Sequence, residues 1–211
     1  FLHFGYFPVQ SDKSDSIDVS LYAAQVGISA KLFDKPLKLA VGSYWYTDLK
    51  GQLPDKVSPN YKKSGNTLDG GGAFVYDYSP LQVCAEYTPF TLSLAGREMP
   101  VKIYADYVTN TESGVTASDG MLYGIKIGEV NDRGDFELNY NYRTLEGDAI
   151  PVFMSDSDFH DGGTNSKGSK ITAKLGIGKN TSIGATYITS KVDSGSKKDF
   201  NLWQIDFETK F

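Results

Sequence analysis

The chain holds 211 residues with a formal net charge of -5 and a single cysteine, Cys84. That balance argues against nucleic acid as a partner and one cysteine rules out an internal disulfide. No apolar run approaches the ~18 residues of a membrane-spanning helix. Modest hydropathy does not argue against a membrane sheet, because each strand of a barrel is apolar on one face only. Fourteen Tyr and 12 Phe favour strands and membrane interfaces, and 22 Gly suit turns and crowded walls. Neither an initiating Met nor a leader segment opens the chain, which fits a processed, exported protein.

Taken in order, the opening residues Phe1 to Phe7 read as the end of a strand. Eight strands of strict alternation then precede a final one, each with an apolar row of period two. The rows are Tyr22, Ala24, Val26, Ile28, Ala30 and Leu32, then Leu37, Leu39, Val41 and Trp45. Leu81, Val83, Ala85 and Tyr87 follow, with Pro89 marking a bulge or edge irregularity. Next come Val101, Ile103, Ala105 and Tyr107, then Tyr123, Ile125 and Ile127, then Phe136, Leu138, Tyr140 and Tyr142. Ile171, Ala173, Leu175 and Ile177 precede Ile183, Ala185 and Tyr187. The last strand aligns Trp203, Ile205, Phe207, Thr209 and Phe211.

Connections take turns in length. Short turns are expected at Asp34-Lys35, Gly96 to Pro100, Asn131 to Gly134 and Gly178 to Thr181, and long polar loops at about 48–80, 110–118, 147–168 and 193–198. This asymmetry fits an outer-membrane barrel with short periplasmic turns and its carboxy-terminus on the periplasmic side. The expected fold is therefore all-β, an antiparallel transmembrane β-barrel forming one domain over residues 1–211. Nine strands make an odd count, so at least one more is expected at or before Phe1, giving about nine or ten strands in this chain as part of a larger even-stranded barrel. A soluble sandwich also alternates apolar and polar faces, but aromatic residues near the strand ends favour the membrane.

Several segments together resemble the putative porin family of Gram-negative outer-membrane barrels. They include Gly5 to Gln10, Tyr22 to Gly27, Pro100 to Asn110, Leu145 to Ala149, Asp156 to Phe159, Gly162 to Gly168 and Lys179 to Tyr187. The likeness covers the carboxy-terminal part of the family pattern. It implies a porin in the bacterial outer membrane, with a water-filled lumen for passive diffusion of small hydrophilic solutes or ions. It also makes lipid, lipopolysaccharide and the barrel-assembly machinery the expected partners. Trp203, Phe207 and Phe211 resemble the terminal assembly signal that the machinery reads. A homotrimer is one assembly the outward aromatics would serve.

Opposite the apolar rows lie the expected pore-lining charges: Lys31, Lys38, Glu86, Lys102, Asp106, Lys126, Glu137, Arg143, Lys170, Lys174, Asp206 and Glu208, with Lys210 beyond them. Cations outnumber anions in this set, which predicts a slight anion preference in the wall, opposed by acidic loops at the mouth. Cys84 shares the lumen parity, and nothing nearby points to an activated thiol. The loop carboxylates Asp156, Asp158 and Asp161 make a weak candidate metal site, set against a solvated or inward-folded acidic loop that would narrow the channel. Only His3 and His160 are available for acid–base work, and no strand carries a histidine in a catalytic setting. No enzyme and no cofactor is expected. The alternatives are a plugged structural or adhesive barrel and a soluble carbohydrate-binding sandwich.

Overall fold

A computed structural model describes residues 1–10, 18–58, 65–193 and 199–210. Ten strands run in sequence: β1 (Leu2–Gln10), β2 (Val19–Leu32), β3 (Lys35–Thr47), β4 (Pro80–Leu94), β5 (Arg97–Asn110), β6 (Asp119–Ile127), β7 (Phe136–Leu145), β8 (Ser166–Gly178), β9 (Thr181–Val192) and β10 (Asp199–Thr209). They form one antiparallel sheet in which each strand pairs with its neighbours in sequence order. β1 and β10 are its two edges and are not paired with each other, so the sheet stands open. The one α-helix among the described residues is a single turn, α1 (Pro54–Val57), in the β3–β4 loop. No helix of the described residues is long and apolar enough to cross a membrane.

Pleating sends alternate side chains to opposite faces. The outward rows are those expected from the alternation, and apart from Val101 on β5, which is buried, their large apolar side chains are largely exposed: Phe4 reaches 76% and Ile205 79% of full accessibility. Charged residues enter these rows only at strand ends, as Lys35, Arg97, Asp119, Lys167, Lys191 and Asp199. Between them the surface is apolar from strand to strand. The outward row of β4, from Leu81 to Leu94, measures about 40 Å along the strand. Tilted by roughly 40°, it spans about 30 Å of height. Aromatic pairs occupy this face towards the long-loop end, with Tyr6 and Tyr22 ring centroids 5.1 Å apart and those of Tyr187 and Trp203 4.5 Å apart. Among the described residues no second sheet covers the apolar face. This single sheet with a bare apolar face weighs against the soluble sandwich, which would cover that face with a second sheet.

Three details differ from the sequence expectation. The opening residues form a full strand, β1, and not only a strand end, and the count of ten falls within the nine or ten expected for the chain. Its alternation is obscured because Phe7, opposite to Phe4 and Tyr6 in parity, is apolar too. The turn expected at Asn131 to Gly134 spans 128–135. Asp135 organises it by accepting from the backbone N–H groups of Asn131 at 3.0 Å and Asp132 at 2.7 Å. Those two amides, with Arg97 beside them, hold the Asp135 carboxyl below its ordinary range. Finally, β8 begins at Ser166, earlier than its apolar row suggests.

The irregularity expected at Pro89 is present as a register shift between Tyr87 and Phe90. One residue more on β4 than on β5 returns Phe90, Leu92 and Leu94 to the outward face after the break. On the inner face, Gly124 faces Tyr104 across the β5–β6 pair. An added Cβ at Gly124 would sit 2.5 Å from the Tyr104 ring and 2.6 Å from the Tyr140 carbonyl oxygen. The glycine thus gives the phenol a place to lie flat over β6, from which its hydroxyl donates to Asn139 Oδ1 at 2.7 Å. Gly124→Ala is expected to destabilise the sheet by about 1–3 kcal/mol, read as a lower thermal midpoint in detergent. An unchanged midpoint would contradict the close approach.

Candidate functional site

The inner face is lined by the charges expected there, and the structure joins most of them in pairs. Lys102 Nζ meets Glu86 at 3.0 Å, Lys126 meets Glu137 at 3.0 Å and Lys174 meets Glu208 at 2.9 Å. Lys102 and Lys126 are direct cross-strand partners. Two like charges in register repel, and each is drawn to a carboxylate on the other side. Lys31, Lys38, Asp206 and Lys210 make no ion pair among the described residues, and all four are exposed. Cys84 lies on this face between Ala40 and Asp106.

At the long-loop end, residues 48–58, 65–79 and 146–165 fold against the inner face. The buried cluster of the protein sits here: Val19, Leu21 and Tyr46 from β2 and β3 pack against Leu49, Val57, Phe74, Tyr78 and Val152 from the loops. Phe153 adds edge-on contacts to Tyr46 and Phe74, at 6.0 and 6.4 Å between ring centroids. Burial of these side chains, at ~1.5–3 kcal/mol each, holds the loops in place.

Asp148 joins the two loops. It is 1% exposed, and its carboxylate accepts from Thr67 N–H at 2.8 Å, Thr67 Oγ1 at 2.6 Å and Tyr78 hydroxyl at 2.9 Å. Asn66 adds a second junction, donating to the Gly147 and Ile150 carbonyls at 2.6 and 2.9 Å and accepting from Val152 N–H at 2.8 Å. Asn110, at the end of β5, donates to the Asp148 carbonyl at 3.0 Å. A buried carboxylate with no cation is tolerated only when hydrogen bonds replace its water, and here three do.

The loop carboxylates take a different role from the metal site considered for Asp156, Asp158 and Asp161. Among the described residues no three His, Cys, Asp or Glu side chains gather to hold a metal ion. Asp156 instead accepts from Arg143 Nη2 at 2.8 Å, with Lys170 at 4.0 Å. The Arg143 guanidinium also lies over the Phe159 ring, 3.4 Å from its centroid, a favourable cation–π contact. These contacts pin the loop to the wall, the inward-folded alternative. Burial acts to raise the Asp156 pKa, but the Asp158 N–H, Arg143 and Lys170 outweigh it and hold the carboxyl below its ordinary value.

Between this loop and the wall lies a cavity of about 340 Å³, reached by Tyr44, Gln82, Asp106, Leu122, Arg143 and Met154. A histidine does approach a serine: His160 Nδ1 lies 3.1 Å from Ser190 Oγ. Ser190 is only 4% exposed, so the pair presents no nucleophile to a substrate. Of the expected assembly signal, Trp203 and Phe207 stand on the outward face of β10, and Phe211 lies outside the described residues.

Two outcomes follow for the loops. Asp148→Ala leaves Thr67 and Tyr78 without their acceptor, each loss costing about 1–3 kcal/mol. Faster proteolytic nicking within 48–79 is expected, with the strands intact. Equal nicking rates in variant and parent would remove the junction role. The lowered pKa of Asp156 means that its stabilising pairing is fully present above the ordinary value of 3.8 and is lost as pH falls through the lower, folded-state value. Pinning should therefore be constant from neutral pH down to about 4 and fail only below. Spin-label distances between the 152–163 segment and β7 read this, and release near pH 6 would be the contrary result.

A model of the family described as putative porin matches residues 96–211. Comparison with curated proteins returned no match, and neither did comparison with solved structures. The matched segment runs from the β4–β5 turn through β10. It contains Arg143, Asp148 and Asp156, so it includes half of the loop junction as well as β5–β10 of the sheet. Sheet, outward apolar face and matched segment agree: the chain belongs to the putative porin family.

Proposed function

We propose that the protein is a passive channel of a Gram-negative outer membrane, carrying small hydrophilic solutes or ions through a lumen lined by the inner face of this sheet. The observation that carries the reading is the division of the two faces. The outward one is apolar between strand ends, and the inward one carries paired charges, amides and hydroxyls. Hydrocarbon tolerates the first and water the second. The unpaired edges of β1 and β10 would then be met by further strands, since backbone groups left open in lipid cost several kcal/mol each. The outward aromatics would contact lipid and lipopolysaccharide, or neighbouring subunits in a trimer. Trp203, Phe207 and Phe211 would serve recognition by the assembly machinery. Inward-folded loops also suit a plugged structural or adhesive barrel, the second reading.

Ion pairing leaves Lys31, Lys38 and Lys210 against Asp106 and Asp206 on the inner face, a small cationic surplus that supports a weak anion preference. The full-length protein in planar bilayers is expected to give discrete conductance steps in KCl, with reversal potentials in a salt gradient slightly on the anion side. Replacing Lys31 and Lys38 by Gln should move the reversal potential towards cations. A strong cation preference in the parent protein would contradict the wall argument, and an absence of steps would favour the plugged barrel.

A further inference from the structure

The cavity behind the inward loop has an unequal charge balance. Of the three partly buried carboxylates on the inner face of β4 to β8, Glu86 and Glu137 each hold a lysine. Asp106 has no cation within ion-pair distance among the described residues. Its hydrogen-bond partner is neutral: Gln82 Nε2 donates to Asp106 Oδ2 at 2.7 Å, and Gln82 Oε1 in turn accepts from the Tyr44 hydroxyl at 2.9 Å. This relay orients the carboxylate without neutralising it. Arg143, the cation in the same cavity, is already matched by Asp156 and covered by Phe159. The cavity thus retains one negative charge beside a largely apolar lining that includes Tyr46, Leu122, Ile150 and Met154.

A hydrated inorganic ion suits such a place poorly. Hard divalent cations seek several oxygen ligands, and a single carboxylate already bonded to an amide supplies few. An organic ammonium matches both features. It can donate a charge-assisted hydrogen bond to the Asp106 carboxylate, its body can lie on the apolar lining, and the aromatic rings of Tyr44 and Tyr46 favour a nearby cation. A volume of about 340 Å³ lies at the small end of ordinary ligand sites, which limits the guest to a compact amine. We infer that the cavity at Asp106 is a binding subsite for small primary amines with an apolar body. The inference rests on the channel reading only in placing this subsite on a solute's path.

The test is equilibrium binding of 2-phenylethylammonium to the full-length protein in detergent, with 2-phenylethanol and phenylacetate as its neutral and anionic counterparts. Asp106→Asn is nearly isosteric and keeps an acceptor for Gln82. The ammonium should bind saturably, and Asp106→Asn should weaken it by about tenfold or more, while Asp106→Glu retains it. Equal binding of 2-phenylethanol would reduce the cavity to an apolar pocket and overturn the inference. So would tighter binding of phenylacetate, an unchanged affinity in Asp106→Asn, or no saturable binding at all. Conductance of the parent protein in KCl alone tests the channel reading separately, so either idea can fail without the other.

Discussion

Backbone hydrogen bonding in a medium without water is the constraint on which this architecture depends. A strand in hydrocarbon can pair its N–H and C=O groups only with another strand, and here every strand pairs with its neighbour in sequence. Chain order and spatial order become the same, and connections need only reverse direction. Side chains then follow from pleating alone. One row must accept lipid, which removes charge between the strand ends, and the other is free to be polar. No core between sheets is required. The apolar residues that a soluble protein would bury are instead its most exposed ones.

The buried cluster accordingly forms where water returns, at the long-loop end. Loops from either side of β4–β7 meet on the inner face, and Asp148 and Asn66 join them across more than 80 residues of chain. The wall contributes Tyr46 to the cluster and Arg143 to the pinned loop. Strands and loops thus divide the work. The sheet supplies a rigid surface, while the loops decide how much of the space in front of it stays open.

The strands were legible because period two survives in a single sequence. The row Tyr22 to Leu32 or Ile171 to Ile177 states a face without any knowledge of its neighbours. β1 was less legible because Phe7 places an aromatic ring on the polar side, so the alternation breaks where it would be read. The irregularity at Pro89 was legible because proline cannot donate to the ladder. The loop site was not. Asp156 looks the same in sequence whether it faces a cation, a metal ion or water, and its meeting with Arg143 depends on how the 146–165 loop returns over β7. Asp148 was legible only as part of the family-like segment Leu145 to Ala149, not as a junction. Its donors Thr67 and Tyr78 sit in another loop, and only the fold brings them within reach. Likewise, the separation of the ion-paired lysines from Asp106, which meets only an amide among the described residues, is set by cross-strand register, which parity alone does not fix.

The register shift in β4 has a bearing on how such a chain can change in length. Elsewhere in a strand, gain or loss of one residue inverts every position beyond it, turning oil-facing groups to the water side. Around Thr88 and Pro89 the ladder already holds one residue in excess. Dropping a residue there would restore plain alternation and keep Phe90, Leu92 and Leu94 in their orientation. β4 therefore carries, within its length, a position at which evolutionary shortening is silent with respect to sidedness.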